Sequence, residues 1–416
     1  MSSSSETQPS MGVEEEFFLV APGSRTVRPA GVRVVARARK QLEELVAEEF
    51  TEYQVEGRTP PCATYDELLA HLLRVRTGLA SAAAAEGLRL VPSGTPVLGP
   101  YGPAPVLDDA RHRLGASTFR ALGDDFVLSA LHVHVQVPDR GDAVLVGNHL
   151  RPWIPLLTAM AANSPYWYGE DTGYASWRTV VKNGWPVSGP PPYFNDLEQY
   201  ARTVAGLRAT GVLVDVGNLF WDVRPCEHLP TVEFRALDVP ATAAEAAALA
   251  TLVRALVVAA LAAVRRGDPG PVLAEPLLRA ACWRAARDGW AAQGVDPRTG
   301  RLVPTAALVE RLFGLVGPVL AATGERAQVA DFVRRLTADG DGATRQRRTR
   351  ASARARVGPR VRAPSGAGTG AGDPDGPAGP AGPAGPAGGT GPADPAGLAD
   401  VVDALAAGVD VGPGWG

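Results

Sequence analysis

Cysteine is scarce in this chain of 416 residues: there are three, Cys62, Cys226 and Cys282, far apart in the sequence. That excludes a disulfide framework and the paired C-x-x-C of a zinc site, and it fits a reducing cytoplasm. A surplus of one charge is also missing, since 41 basic against 44 acidic side chains leave a formal −3. No global field draws the protein to nucleic acid or to a membrane surface, so electrostatic function is local. The N-terminus has neither the basic start nor the apolar core of a secretion signal, and residues 1–11 read as a disordered lead. The most apolar stretch, 241–264, is Ala-rich and carries Glu245 and Arg254, which predicts a buried core helix rather than a membrane span. Neither G-x-x-x-x-G-K-[ST] nor G-x-G-x-x-G occurs, so bound nucleotide phosphates would sit in neither common Gly-rich loop.

Hydrophobic residues make up 45% of the chain, enough for a substantial core. Three short segments read as strands carrying polar side chains: Gly12-Val-Glu-Glu-Glu-Phe-Phe-Leu-Val20, Leu131-His-Val-His-Val-Gln-Val137 and Thr231-Val-Glu-Phe-Arg-Ala-Leu-Asp238. Side chains alternate between the faces of a strand, so Glu14 shares a face with Glu16, His132 with His134, and Glu233 with Arg235. Gln54 and Glu56 repeat the spacing in a strand over 52–57. Paired carboxylates suit Mg²⁺ or Mn²⁺, which take oxygen ligands, water and phosphates. An H-x-H also occurs in zinc sites, but neither H-E-x-x-H nor H-x-x-E-H is present to complete one, and Mg²⁺ or Mn²⁺ is favoured. The guanidinium of Arg235 beside Glu233 suits a carboxylate or a transferred phosphoryl group, and Arg224 and Arg178 supply further cations from loops.

Strands alternate with helices in the first half of the chain and helices dominate the second. Helices are expected over 31–49, 65–86, 149–162, 241–265, 273–287, 305–322 and 325–338, with a further strand over 88–92. Residues 163–194 hold most of the aromatics with several Gly and Pro, and read as a long ordered loop that lines a site or a subunit contact, so a homo-oligomer stays open. The arginines at 345, 347, 348 and 350 read as a solvated helix end or a weak anion-binding tail, with a phosphate-facing role as the sharper alternative. The ordered domain is expected over 12–355. A Gly/Pro/Ala tract follows, read as a linker over 356–397 with four Gly-Pro-Ala triplets between Gly376 and Ala387, too few for a collagen helix. Residues 398–416 form a short tail that contains one amphipathic helix.

Six motifs in one order resemble the type 2 glutamate-cysteine ligase family, and within it the YbdK-type carboxylate-amine ligases. They are Gly12-Val-Glu-Glu-Glu-Phe, Leu131-His-Val-His-Val, Ala162-Asn-Ser-Pro-Tyr-Trp167, Asp171-Thr-Gly-Tyr-Ala-Ser-Trp-Arg178, Trp221-Asp-Val-Arg-Pro225 and the Thr231–Asp238 strand. The resemblance implies an α+β fold like the catalytic domain of glutamine synthetase, a curved, mainly antiparallel sheet packed with helices. It implies ATP and Mg²⁺ or Mn²⁺ as cofactors, with amino-acid carboxylate and amine as substrates. It also implies metal ligation by Glu14, Glu16, Glu56, His132 and Glu233, catalytic roles for Arg235 and Arg178, and substrate or nucleotide contacts from Arg224, Gln54 and His134. Gln136 departs from the family pattern, where a small residue is expected. The residues alone also admit a metal-dependent hydrolase or a non-catalytic descendant that binds an amino acid or nucleotide.

Overall fold

The computed structural model describes residues 8–100, 102–108, 110–357 and 397–410. Residues 358–396 of the expected linker lie outside them, while 356 and 357 are helical. The frame is a seven-stranded sheet in which all pairing is antiparallel. Its strands are β1 (Met11–Val20), β2 (Val46–Glu48), β3 (Gln54–Arg58), β4 (Arg89–Val91), β5 (Ala130–Gln136), β6 (Val223–Pro225) and β7 (Thr231–Asp238), in the order β6-β7-β5-β1-β3-β2. Phe18 pairs with Gln54 on one edge of β1 and with Val91 on the other, so β5 and β4 share one edge of the central strand in succession.

The helices are α1 (Gly31–Leu42), α2 (Tyr65–Ala85), α3 (Ala110–Phe119), α4 (Ala121–Asp124), α5 (Arg140–Leu150), α6 (Ile154–Ala161), α7 (Trp177–Asn183) and α8 (Leu197–Ala209). They continue with α9 (Ala243–Val264), α10 (Glu275–Asp288), α11 (Thr305–Ala322), α12 (Arg326–Asp339), α13 (Gly342–Val357) and α14 (Leu398–Ala407). One sheet face is covered by them: Val13, Val133, Val135 and Phe234 join α2, α5 and α9 in one core, and Phe17 and Leu19 join α1 and α2 in a second. The α9 helix starts on a capping box of Thr242 and Glu245. It is long and apolar enough to cross a membrane, as is α11, but it is buried over most of its length in this core.

Glu15 points to the same face as Val13 and Phe17. Arg76 meets it with two hydrogen bonds, of 2.9 and 2.6 Å, and passes two further protons to the Pro240 and Ala241 carbonyls. A buried charge of this kind survives because it is paired and most of its protons are used.

The structure corrects several expectations. The first helix ends at Leu42 rather than 49, because Glu43 turns to φ 53° and Val46 joins β2, opposite Gly57. The helix expected over 149–162 is two helices, of which α5 starts at Arg140 on an Asp139 cap; Pro152 and Pro155 occupy the break. The 163–194 loop contains α7. Of the four arginines singled out on α13, Arg348 is exposed as a solvated helix end would be, and the other three have partners within the protein. Arg345 pairs with Glu245, Arg347 with Asp171, and Arg350 lies over the Tyr166 ring.

The C-terminal α14 docks on its own chain. Its Leu398, Val401, Val402 and Leu405 are buried against Phe18, Val20, Val91, Val97 and Tyr166. Asp403 takes Arg25 and Arg89, and Asp400 takes Arg356.

Candidate active site

The opposite face of the sheet carries the polar residues, and strand register decides which of them meet. Glu14 lies across from His132 on one side and Arg58 on the other, Glu16 across from Glu56, and Glu233 across from His134 and Arg224. Antiparallel neighbours hold their Cβ atoms close enough for direct contact. Nine charged or titratable side chains from β1, β3, β5, β6 and β7 therefore share one face.

These residues sort into two groups whose ligand atoms lie within 4.8 Å of one another: Glu14 with His134 and Glu233, and Glu16 with Glu49 and Glu56. His132 sits between them, its Nδ1 3.4 Å from Glu14 and its Nε2 3.9 Å from Glu16. The five expected metal ligands are thus brought together but divided. His134, expected as a substrate contact, moves into the ligand-capable set, and Glu49 enters unforeseen. Gln54 serves the frame instead of a substrate. Its amide donates to the Leu128 carbonyl and Ser129 hydroxyl and accepts from Thr51, which ties β3 to the chain entering β5. Its hydrogen-bonding capacity is committed inside the protein.

The electrostatics of the two groups differ. Burial pushes Glu16 up to about 7, with Glu56 adding to the rise against Arg178, and pushes Glu49 up to about 8, with Glu16 adding. Burial likewise lifts Glu56 well above the carboxylate range, helped by Glu14 and Glu49, although Arg58 bonds to it. Three converging carboxylates with too little positive charge are what a divalent cation satisfies. In the other group burial opposes ionisation of Glu233, but Arg235 and Arg224 hold it well below the usual range; Arg224 Nε bonds to it at 2.8 Å. Burial opposes the charge on His134 too, yet Cys226, Glu14 and Glu233 raise it to about 10. His134 faces both carboxylates, and its Nε2, 3.7 Å from Glu14 and 3.9 Å from Glu233, has no hydrogen-bond partner among the described residues. His132 is held neutral at about 3 by burial and by Arg235. The all-carboxylate group of Glu16, Glu49 and Glu56 is the part of this donor set that fits Mg²⁺ or Mn²⁺.

Beside the groups stands a cationic wall. Arg235 bonds to Glu233 through one nitrogen while its Nε is buried and unpartnered among the described residues. Arg178, at the start of α7, gives one bond to the Arg235 carbonyl at 3.2 Å and leaves Nε and Nη1 likewise unpartnered, with Asp238 3.9 Å away. Asp238 anchors this corner: it accepts from Asn163 N–H and from the Ser164 and Ser176 hydroxyls. Lys182, one turn along α7, is buried in an ion pair with Asp222. Sequence reasoning missed this pair, although both residues lie in or beside the quoted motifs. A buried guanidinium with free N–H groups is an anion receptor.

Set against known proteins, residues 10–365 match glutamate–cysteine ligase family 2 (GCS2). A protein of Saccharopolyspora erythraea with the provisional name glutamate–cysteine ligase 2-2 is 43% identical over 341 residues, 81% of this chain and 87% of the relative. A relative from Salinispora arenicola with the provisional name glutamate–cysteine ligase 2 is 43% identical over 339 residues, 81% of this chain and 89% of its own. Among solved structures, the glutamate–cysteine ligase of Francisella tularensis in complex with AMP superposes with a TM-score of 0.62 at 12% identity, covering 83% of this chain and 85% of that one. A bifunctional glutathione synthetase from Pasteurella multocida gives 0.59 at 16% identity, covering 84% of this chain and 50% of that one. At such identities the superpositions establish the fold, which is the α+β architecture expected. The chain belongs to glutamate–cysteine ligase family 2 and is a ligase that forms carbon–nitrogen bonds.

Proposed function

We propose that this face joins the carboxylate of glutamate, or a similar acid, to an amine at the expense of ATP, with cysteine as the reference acceptor. The carboxylate oxygen takes the γ-phosphoryl group and ADP leaves. The amine nitrogen then forms a bond to the acyl carbon, the carbon–oxygen bond to phosphate breaks, and the amine proton passes to solvent. The observation that carries this reading is the pairing of cation-seeking carboxylate groups with a wall of unpartnered guanidinium nitrogens on one sheet face.

Mg²⁺ or Mn²⁺ would be held by Glu16, Glu49 and Glu56 and by Glu14, His134 and Glu233, and supplies neutralisation of phosphate oxygens. Arg235 presents its Nε, and Arg178 its Nε and Nη1, fixed in place before the reaction, to the charge that spreads over the transferring phosphoryl group or to the acid's second carboxylate. Arg224 orients Glu233 from the neighbouring strand and is itself steadied by the Leu219 carbonyl. His132, neutral between Glu14 and Glu16, keeps the two groups apart. No enzyme nucleophile is required. Three free thiols suit a cytoplasmic setting.

The test is ADP release by purified protein with Mg²⁺ and ATP across a panel of acids and amines. Release that requires one acid and one amine together supports the ligase, whereas release without any acid or amine contradicts it. Glu233→Gln should abolish release while circular dichroism stays that of the folded protein.

A further inference from the structure

The segment before β5 and the loops around the site build a feature that the ligation chemistry leaves unused. A pocket that opens in part to solvent is lined by the polar Arg111, His112 and Asn218 together with Phe50, Phe119, Phe126, Trp185 and Phe220. Their rings meet mostly at edge-on or tilted angles, with Phe126 and Trp185 centroids 4.5 Å apart, Phe119 and Trp185 4.6 Å, and Phe126 and Phe220 5.2 Å. Two observations mark it as built for an occupant. Trp185 is 4% exposed, yet its indole Nε1 has no hydrogen-bond partner among the described residues; buried indole N–H groups ordinarily find an acceptor. Gly115 of α3 also lines the cavity and is buried, yet a Cβ built on it meets nothing within 4 Å.

The walls adjoin the reacting face through the chain itself. Phe50 follows Glu49, Trp185 lies three residues past Lys182, and Phe220 two before Asp222. The acceptor amine must lie in contact with the acyl carbon, since reacting atoms approach to about 3–3.5 Å. The adenine of ATP is separated from that carbon by its ribose and phosphates. A pocket flanking the carboxylate groups therefore suits the amine.

We propose that this pocket receives the side chain of the acceptor amine, and that this acceptor carries an aromatic ring bearing an oxygen acceptor for the Trp185 N–H, in place of the small thiol side chain of cysteine. The inference rests on the ligase reading and narrows its amine. Flat rings packing edge-on against aromatic walls gain contact area and directional attraction that a thiol does not offer.

The experiment compares tyramine, phenethylamine, ethylamine and cysteine as acceptors, with ATP and glutamate held constant, in the wild type and in Gly115→Leu. Leucine is a better helix former than glycine, so the variant should fold. Tyramine should give the lowest KM of the four, and Gly115→Leu should raise that KM roughly tenfold or more, as a lost methylene-sized space does in apolar pockets, with the KM for ATP and glutamate unchanged. If cysteine is turned over and neither aromatic amine is, the inference falls and the ligase stands. A rise in the KM for ATP in place of tyramine would make this a base pocket and also overturn it. If no amine is turned over, the ligase reading falls and thermal unfolding decides for the pocket. Tyramine that raises the wild-type Tm but not that of Gly115→Leu upholds it, and no shift in either rejects it.

Discussion

Glu15 and Glu16 are consecutive residues on β1, both nearly inaccessible to water, and their surroundings are opposite. Glu15, on the helix-covered face, has one guanidinium to itself with two hydrogen bonds, and that guanidinium spends two further protons on carbonyls. Glu16, on the open face, accepts one bond, from Ala130 N–H, and lies among Glu49 and Glu56. Burial alone therefore does not distinguish a structural carboxylate from a binding one. What distinguishes them is whether the protein supplies the opposite charge or leaves it to be brought in.

That contrast can be broken from either side. Glu15→Gln leaves Arg76 buried without its counter-charge, and loss of one partner of a buried pair costs about 3–5 kcal/mol. Urea unfolding should show a midpoint lowered accordingly, while kcat of the folded protein stays near the wild-type value. Glu49→Gln should do the reverse. It removes a ligand and should lower kcat about a hundredfold or more, yet it also replaces a carboxyl whose ionisation burial and Glu16 oppose, so the Tm of chelator-treated protein should hold or rise. An unchanged kcat there would exclude Glu49 from the site.

A milder test adds metal. At a concentration about a hundred times its Kd, Mg²⁺ should stabilise the wild type by about 2.7 kcal/mol, read as a rise in Tm, and Glu49→Gln should show a smaller rise. Equal shifts in both would place the cation elsewhere. The smallest effect is expected at the half-exposed Asp403, bridged to Arg25 and Arg89. Asp403→Asn should cost under about 1 kcal/mol, the range of surface ion pairs, whereas Val402→Asp, which puts a carboxylate into the apolar seam, should detach α14 and lower Tm by several degrees.

Much of the site was legible because strands alternate faces. Glu14 with Glu16, His132 with His134, and Glu233 with Arg235 follow from that rule alone, and the family resemblance added ATP. Partnership across strands was not legible, since register depends on pairing that one sequence does not display. His134 was accordingly assigned to substrate, while the structure sets it between Glu14 and Glu233. Gln54 obeyed the alternation rule, and its amide is nonetheless consumed by Leu128 and Ser129. Glu49 was hidden by an error of element type. Leu42, Leu45 and Val46 continue a helical spacing, and the turn that ends the helix uses Glu43 at positive φ, where no glycine announces it. The α3 helix, which shapes the aromatic cavity, has exposed positions on nearly every side and so no apolar period to detect. Lys182 and Asp222 are 40 residues apart, and only the folded loop joins them.

The docking of α14 has a consequence for the order in which the protein is made. Synthesis runs from the N-terminus, so Phe18 and Val20 leave the ribosome among the first residues of the sheet, while Leu398 and Val402, which cover them, leave long after the rest of it. Until then the nascent sheet carries an uncovered greasy edge. A chain interrupted between α13 and α14 would have a finished catalytic face and an unfinished surface, the kind of surface that chaperones and proteases recognise. Fragments without α14 should therefore be cleared from the cell even where the catalytic residues are all in place.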